Sequence, residues 1–386
     1  MKLSFRLRGH RTLMLGCVGA LFSGSLLFTG VAAASGQVYR GLFDVESRKQ
    51  ALASQANDVG RKNCLAVAVD PKWADLAVID GFKATAGYGT DRAGAEFAWA
   101  MMVLSGRVMA GDTQSATMLR NLLTKWAGAK AFQDTELSHD AYYALKRALL
   151  PTIVAFSIVK DGLTDDHANL VEQWLDPIVR SVDHRFDGEV DLNNHRYLAD
   201  SVLMLWGAVV EDDELYAKGR DRFLSILSEA RNDGSLPLET RRGARSLWYM
   251  RQSLTSMVVM AEVARGRGEN LYDAESSDSE DMQKSIWTIF SYWLNGIRDP
   301  ALVDAYAAEN YIPGPETDYL KQDRGFLTKR SNGRHYLAFL EVLNDQPPSR
   351  MTVKRATLLL QDNGRPERPL IDEFVGGNAT CFWGQT

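Results

Sequence analysis

Two stretches of the sequence gather side chains that could handle an anion. The first is Asn193-Asn194-His195, which follows an irregular stretch and opens a helical pattern near Arg196. A helix start carries N–H groups without intrahelical partners and the positive end of the helix dipole, so amides and an imidazole placed there could hold an anionic oxygen. Asn is equally a preferred N-cap, and Asn193 or Asn194 could serve only to begin the helix. The second stretch leads through a turn to Pro237 and Glu239 and then to Arg241, Arg242, Arg245, Tyr249 and Arg251. Arg242, Arg245 and Tyr249 are three and four apart, so a helix would place them on one face. Such a run could be a solvated surface, yet local basic charge in an acidic chain points to an anionic ligand. Of the six histidines, His195 alone has neighbours of this kind.

The elements that must position these groups read as helices. Apolar residues recur at helical spacing over 97–108, 116–126, 141–159, 167–182, 197–210, 214–230, 247–264, 282–294 and 334–342, separated by short breakers such as Gly111-Asp112 and Asp299-Pro300. Residues 351–360 fit either a helix or a strand. About ten helices with short connections bury their apolar faces by packing as antiparallel pairs. A bundle, a repeat superhelix and a closed ring of hairpins all satisfy that pattern, although no fixed-period repeat is visible.

Composition narrows the function classes. The chain has 386 residues, 45% hydrophobic and 24% charged, which is ordinary globular material. The formal net charge is -5; the first 34 residues hold four basic residues and no acid, so the remainder sits near -9. Nucleic-acid binding draws largely on phosphate neutralisation and needs the opposite sign, so no nucleic-acid partner is expected. The sequence holds no His-x-x-x-His, Cys-x-x-Cys, Gly-x-Ser-x-Gly or phosphate-binding glycine loop, and neither a metal nor an organic cofactor is expected.

Residues 1–34 combine a basic start, an apolar stretch over 12–31 and small residues at 32–35, the pattern of a signal peptide cleaved near Ala34. An uncleaved anchor is the alternative. With cleavage, residues 35–386 form a single domain that is periplasmic or secreted, not stably inserted in a membrane, and monomeric. Cys64 and Cys381 remain in that part; they could pair in an oxidising compartment, but sequence does not show that they meet.

The runs Leu192-Asn-Asn-His-Arg-Tyr197 and Gly234-Ser-Leu-Pro-Leu-Glu-Thr-Arg-Arg-Gly-Ala-Arg-Ser-Leu-Trp-Tyr249 resemble the alginate (polymannuronate) lyases. That family has Asn-Asn-His, then Leu-Pro-x-Glu-Leu-x-Arg and a downstream Tyr, and the separations of 54 residues from His195 to Tyr249 and seven from Arg242 to Tyr249 match its spacing. The resemblance covers roughly residues 174–264. It implies an all-α fold, an incomplete (α/α) toroid, whose groove binds an acidic polysaccharide and cleaves it by β-elimination. It also implies that Asn194, His195, Arg242 and Tyr249 occupy the catalytic positions.

Arg245, Asn193 and Trp248 are expected to line the groove. Trp126, Trp174, Trp206 and Trp287 sit at helical spacing and read as core. Lys146 and Arg147 would contact sugar carboxylates or lie on the surface. The family carries a mobile lid with Lys or Tyr near its N-terminus, and residues 83–92, with Tyr88 between two glycines, could be that lid or a plain glycine-rich turn. Two departures stand out: Leu198 replaces a common aromatic residue, and Arg196 replaces a small polar one. An arginine there would read a sulfate, a second carboxylate or a different sugar.

The chemistry asks for these groups independently. Removing the C5 proton of a uronate piles a second negative charge beside an ionised carboxylate, which cationic and amide donors must quench. His195 could support that charge or act as a base. In mannuronate and glucuronate the C5 proton and O4 lie on one side, so one phenol, Tyr249, could serve both. A glycoside hydrolase would instead need two carboxyl groups, nominally among Asp140, Asp191, Asp200 and Glu239. A non-catalytic polysaccharide-binding protein is the third reading. A free phenol titrates near pH 10, and neighbouring arginines favour its ionised form. Lyase activity should therefore be greatest at neutral to alkaline pH, and a pH–rate profile peaking well below 6 would contradict this assignment.

Overall fold

The computed structural model describes residues 38–84, 92–185, 192–276, 284–310 and 321–384. The expected signal peptide, residues 1–34, lies outside them, as does Tyr88 with most of the stretch 83–92. Two short helices, α1 (Val45–Ala53) and α2 (Asp58–Leu65), come first. Long helices follow as α3 (Arg92–Met109), α4 (Thr113–Gly128), α5 (His139–Val159), α6 (Asp165–Arg185), α7 (Asn194–Val210) and α8 (Asp213–Glu229). After the single turn α9 (Pro237–Thr240) come α10 (Ser246–Gly266), α11 (Ile286–Arg298), α12 (Ala301–Ala307), α13 (Met351–Asn363) and α14 (Ala379–Trp383). Two-residue strands β1 (Ile371–Asp372) and β2 (Gly377–Asn378) pair antiparallel.

Burial sorts the long helices into two layers. In α10, 18 of 21 residues are buried, whereas α8 buries six of 17. A helix apolar all round must be covered on every side; one with a single apolar stripe has water on the other. Accordingly α3, α5, α7 and α10 pack side by side as an inner wall, while α4, α6 and α8 back them from outside. This is the incomplete (α/α) toroid. Residues 139–162 are long and apolar enough to span a bilayer, but almost all of the stretch is buried inside the protein as a core helix. Trp126, Trp174, Trp206 and Trp293 are fully buried in the core, each burying roughly 150–250 Å².

Caps explain where several of the helices start. Asp112, Ser138, Asn193 and Asp212 each accept a backbone N–H of the helix they precede. Periodicity missed α1, whose one buried residue, Leu52, leaves no amphipathic stripe to detect. It also placed a helix at 334–342, where only a 3₁₀ run, Ala338–Asp345, forms. His335 there gives its N–H to Ile371 O at 2.9 Å and takes that of Leu337 on Nδ1 at 3.0 Å, which commits the backbone elsewhere. Residues 351–360 are helical, within α13.

The last segment runs inside the protein. Residues 369–384 are all buried, and they pass between α3, α5 and α10 rather than over the surface. Gly376, at φ +78°, permits the tightest turn of this path; a Cβ there would come within 2.7 Å of Val154. Cys64 on α2 and Cys381 on α14 form a disulfide across 317 residues of chain. Closing so long a loop removes unfolded-state entropy worth about 6 kcal/mol in the chain-entropy account. Complete reduction, or Cys64→Ser, should therefore lower the melting temperature by several degrees. A melting curve unchanged after thiol titration proves full reduction would sink this reading.

Candidate active site

The site grows from the start of α7. Asn193 is the N-cap, and its Oδ1 accepts the His195 N–H at 2.9 Å, so its amide oxygen serves the helix rather than a ligand. Asn194, 2% exposed, donates its own N–H to Glu239 Oε1 at 2.6 Å. Its Nδ2 donates to Gln252 Oε1, and Gln252 Nε2 donates to the Tyr143 hydroxyl at 3.2 Å. This chain ties α7 to α10 and α5. Asn194 Oδ1 is buried with no hydrogen-bond partner among the described residues.

His195 faces a cavity of about 220 Å³ lined also by Tyr143, Arg147, Arg245, Trp248, Tyr249, Gln252, Arg330, Tyr336 and Phe374. Its ring lies on Tyr143, centroids 4.8 Å apart. Burial pushes the His195 pKa well below the usual 6.5, and Lys146 and Arg242 push it the same way. The ring is therefore neutral at pH 7. A larger cavity, about 730 Å³, opens between the N-terminal segment from Val38 to Lys49 and the ends of α3 and α5. It holds none of the predicted residues, and Arg40, Lys49 and Lys160 there are all ion-paired.

The second stretch does not form one continuous helical face. Arg242 sits in the turn after α9, a 3₁₀ turn Gly243–Arg245 follows, and α10 begins at Ser246. The turn nevertheless folds Arg242 back so that its guanidinium lies 3.9 Å from the centroid of the Tyr249 ring. Arg245 stands over Trp248 at 5.0 Å and pairs with Asp323 at 3.2 Å. Glu239 is wholly buried, with Oε1 accepting from Asn194 N–H and from Ser253 Oγ at 3.1 Å. Burial raises its pKa to about 7 against the opposing pull of Arg242.

Three predicted contacts turn away from the cleft. Arg196 is fully buried and bound to Asp200 and Asp183, closing the end of α6 onto the start of α7; it is not placed to read a sugar. Its length lets it reach back across 13 residues, a contact no local pattern announces. Lys146 is fully buried and donates Nζ to His195 O at 2.9 Å, so it supports the helix start from behind and is neither a sugar contact nor a surface group. Asn193 is spent on its cap. By contrast His195, Arg245, Trp248, Tyr249 and Arg147 do meet in the cleft, whereas Trp126, Trp174, Trp206 and Trp287 are core. Among the hydrolase candidates, Asp200 and Glu239 are buried in bonds to Arg196 and Asn194, and Asp191 lies outside the described residues.

Sequence reasoning missed Tyr143, Gln252, Arg330, Tyr336 and Phe374 as lining groups. Tyr143 precedes Arg147 by four residues and Gln252 follows Tyr249 by three, so both share a helical face with a predicted residue. Arg330, Tyr336 and Phe374 arrive from irregular chain and leave no periodic signal. Among the described residues, no group of three or more His, Cys, Asp or Glu converges as a metal site would require. Because removing one partner strands buried charge, Arg196→Gln should cost about 3–5 kcal/mol of stability. Denaturant unfolding measures this; a variant of unchanged stability that merely bound sugar more weakly would restore Arg196 as a ligand contact.

The alginate lyase family model matches residues 89–301. A polysaccharide lyase of Stenotrophomonas maltophilia is 27% identical over 207 residues, 53% of this chain and 60% of that protein. An alginate lyase of Pseudomonas syringae pv. tomato is 25% identical over 236 residues, 58% of this chain and 59% of that one. The matches thus span about three fifths of the relatives' length. The fold is that of alginate lyase A1-III from Sphingomonas species A1, with a TM-score of 0.69 at 21% identity, covering 92% of this chain and 98% of that one. Matched over more than half its length, this chain belongs to the alginate lyase family.

Proposed function

We propose that the protein is a polysaccharide lyase that cleaves an acidic uronate polymer, mannuronate-rich alginate first among them, by β-elimination between C4 and C5. The observation that carries this reading is the meeting of neutral His195 and Tyr249 in one cleft walled by Arg147, Arg245 and Arg330. Two solved relatives support it: alginate lyase A1-III was complexed with tetrasaccharide as a histidine-to-alanine and as a tyrosine-to-phenylalanine variant.

In the proposed reaction the Tyr249 oxygen, acting as phenolate, takes the C5 proton, and the C5–H electron pair forms the C4–C5 double bond. The C4–O4 bond breaks, its electrons go to O4, and the proton passes to that oxygen. Negative charge building on the sugar carboxylate is met by the imidazole of His195 and by the arginines, donors held in place before the reaction begins. Arg242, stacked on the Tyr249 ring, brings positive charge beside the phenol. The Cys64–Cys381 disulfide supports a periplasmic or secreted location, since such bonds persist where thiols are oxidised.

Hydrolysis is the weaker reading, because two of its candidate carboxylates are locked in buried bonds. Elimination creates an unsaturated uronate that absorbs near 235 nm, and hydrolysis does not. Polymannuronate, polyguluronate, glucuronan and hyaluronate should be compared by that absorbance. Polymannuronate should give the fastest rise, and Tyr249→Phe should lose about 10²–10⁴-fold in kcat. Chain cleavage without the absorbance would mean hydrolysis. Oligosaccharide binding with no cleavage, alike in wild type and Tyr249→Phe, would mean a binding protein.

A further inference from the structure

The buried C-terminal segment carries two adjacent carboxyl groups, Asp372 and Glu373, each 1% exposed, to the back of the cleft. Glu373 Oε1 accepts from Arg147 Nε at 2.9 Å, from Arg147 Nη2, and from Arg330 Nη1 at 3.2 Å. Its Oε2 lies 2.8 Å from Arg334 Nε. One carboxylate thus gathers three guanidinium groups, one from α5 and two from the stretch 330–334. Two of them, Arg147 and Arg330, line the cleft. Arg334 does not; it donates to Ala95 O and stands over Trp99.

The neighbours show a built arrangement. Arg147 lies against the rings of Tyr143 and Phe374 at 5.3 and 5.7 Å, and Arg330 over Tyr336 at 4.6 Å. These rings hold the guanidinium planes, but they cannot offset mutual repulsion; only an anion can. Asp372 takes less of that duty: it faces Arg251 at 3.7 Å, and burial and the neighbouring Glu373 charge raise its pKa. Burial alone would raise Glu373 as well, but Arg147, Arg334 and Arg330 hold it well below the usual carboxylate range. The negative charge of the pair therefore rests mainly on Glu373.

Resting on the lyase reading above, we propose that Glu373 is a positioning residue: it holds Arg147 and Arg330 together as one cationic wall that grips a sugar carboxylate of the bound polymer. A guanidinium carries five donors, so one shared acceptor does not exhaust the pair. Removing the wall's anchor weakens substrate binding even though it leaves the cleft more positive.

Glu373→Gln tests this because it keeps the side-chain shape. Positioning requires that KM for a polymannuronate oligosaccharide, followed at 235 nm, rise at least tenfold and more steeply than kcat falls. If only the summed field mattered, the added positive charge would lower KM. If Glu373 only held the fold together, melting temperature and active fraction would drop with KM unchanged. Either of the last two results overturns the proposal. Arg330→Gln leaves Glu373 paired with Arg147 and Arg334 and stands in if the first variant does not fold; it too must raise KM, and an unchanged KM overturns the proposal. Wild-type protein separates the two readings. If it generates no absorbance, the lyase assignment fails by itself, and calorimetric binding of the same oligosaccharide to wild type and variants still decides whether Glu373 sets the grip.

Discussion

Positive charge gathered in a cleft repels itself. Two guanidinium groups about 5 Å apart, at an effective dielectric near 20, oppose each other by about 3 kcal/mol. A site built to receive a polyanion must hold several such groups while empty, and the fold meets this by setting carboxyl groups behind or beside them. Glu373 stands behind Arg147 and Arg330, Asp323 beside Arg245, and Glu239 beneath the Asn194 turn, within reach of Arg242. Glu373 loses its water on burial and is stable as an anion only because cations replace it. The same contacts that stabilise the protein therefore fix where the cleft's charge points.

Geometry of the inner wall makes those contacts reachable. α7 packs directly on both α5 and α10, so a tyrosine of α5, a histidine of α7 and a tyrosine of α10 emerge at one place. The start of α7 is held from several sides: by its own cap, by Glu239, by Lys146 on its carbonyl, and by Arg196 tying it to α6. Such redundancy suits a group that must present a neutral imidazole at a fixed angle. The far wall is completed by chain that is not helical, drawn through the core and fastened by the disulfide to α2.

Much of this was legible in the residues. Apolar spacing places nearly all the long helices to within a few residues, because a helix with one or more buried faces must repeat its apolar groups at 3.6. The Asn-Asn-His turn and the Arg/Tyr stretch were also readable, since each is local, and the site residues they supply lie within a turn or two of one another. Lys146 and Arg196 were not, because burial of a charged side chain depends on partners far along the chain: His195 O for one, Asp183 and Asp200 for the other.

What the sequence determined by itself was the helical class, the place of the Asn193–His195 helix start, and the residue types able to steady a carboxylate and move a proton. Only the tertiary structure decided that Cys64 meets Cys381, that the tail lies inside, and that Arg330, Tyr336 and Phe374 share a cleft with Tyr249. The reason is physical. Periodicity records which face of an element is dry, whereas a pairing across more than 300 residues is set by how whole layers stack and leaves no mark on local spacing.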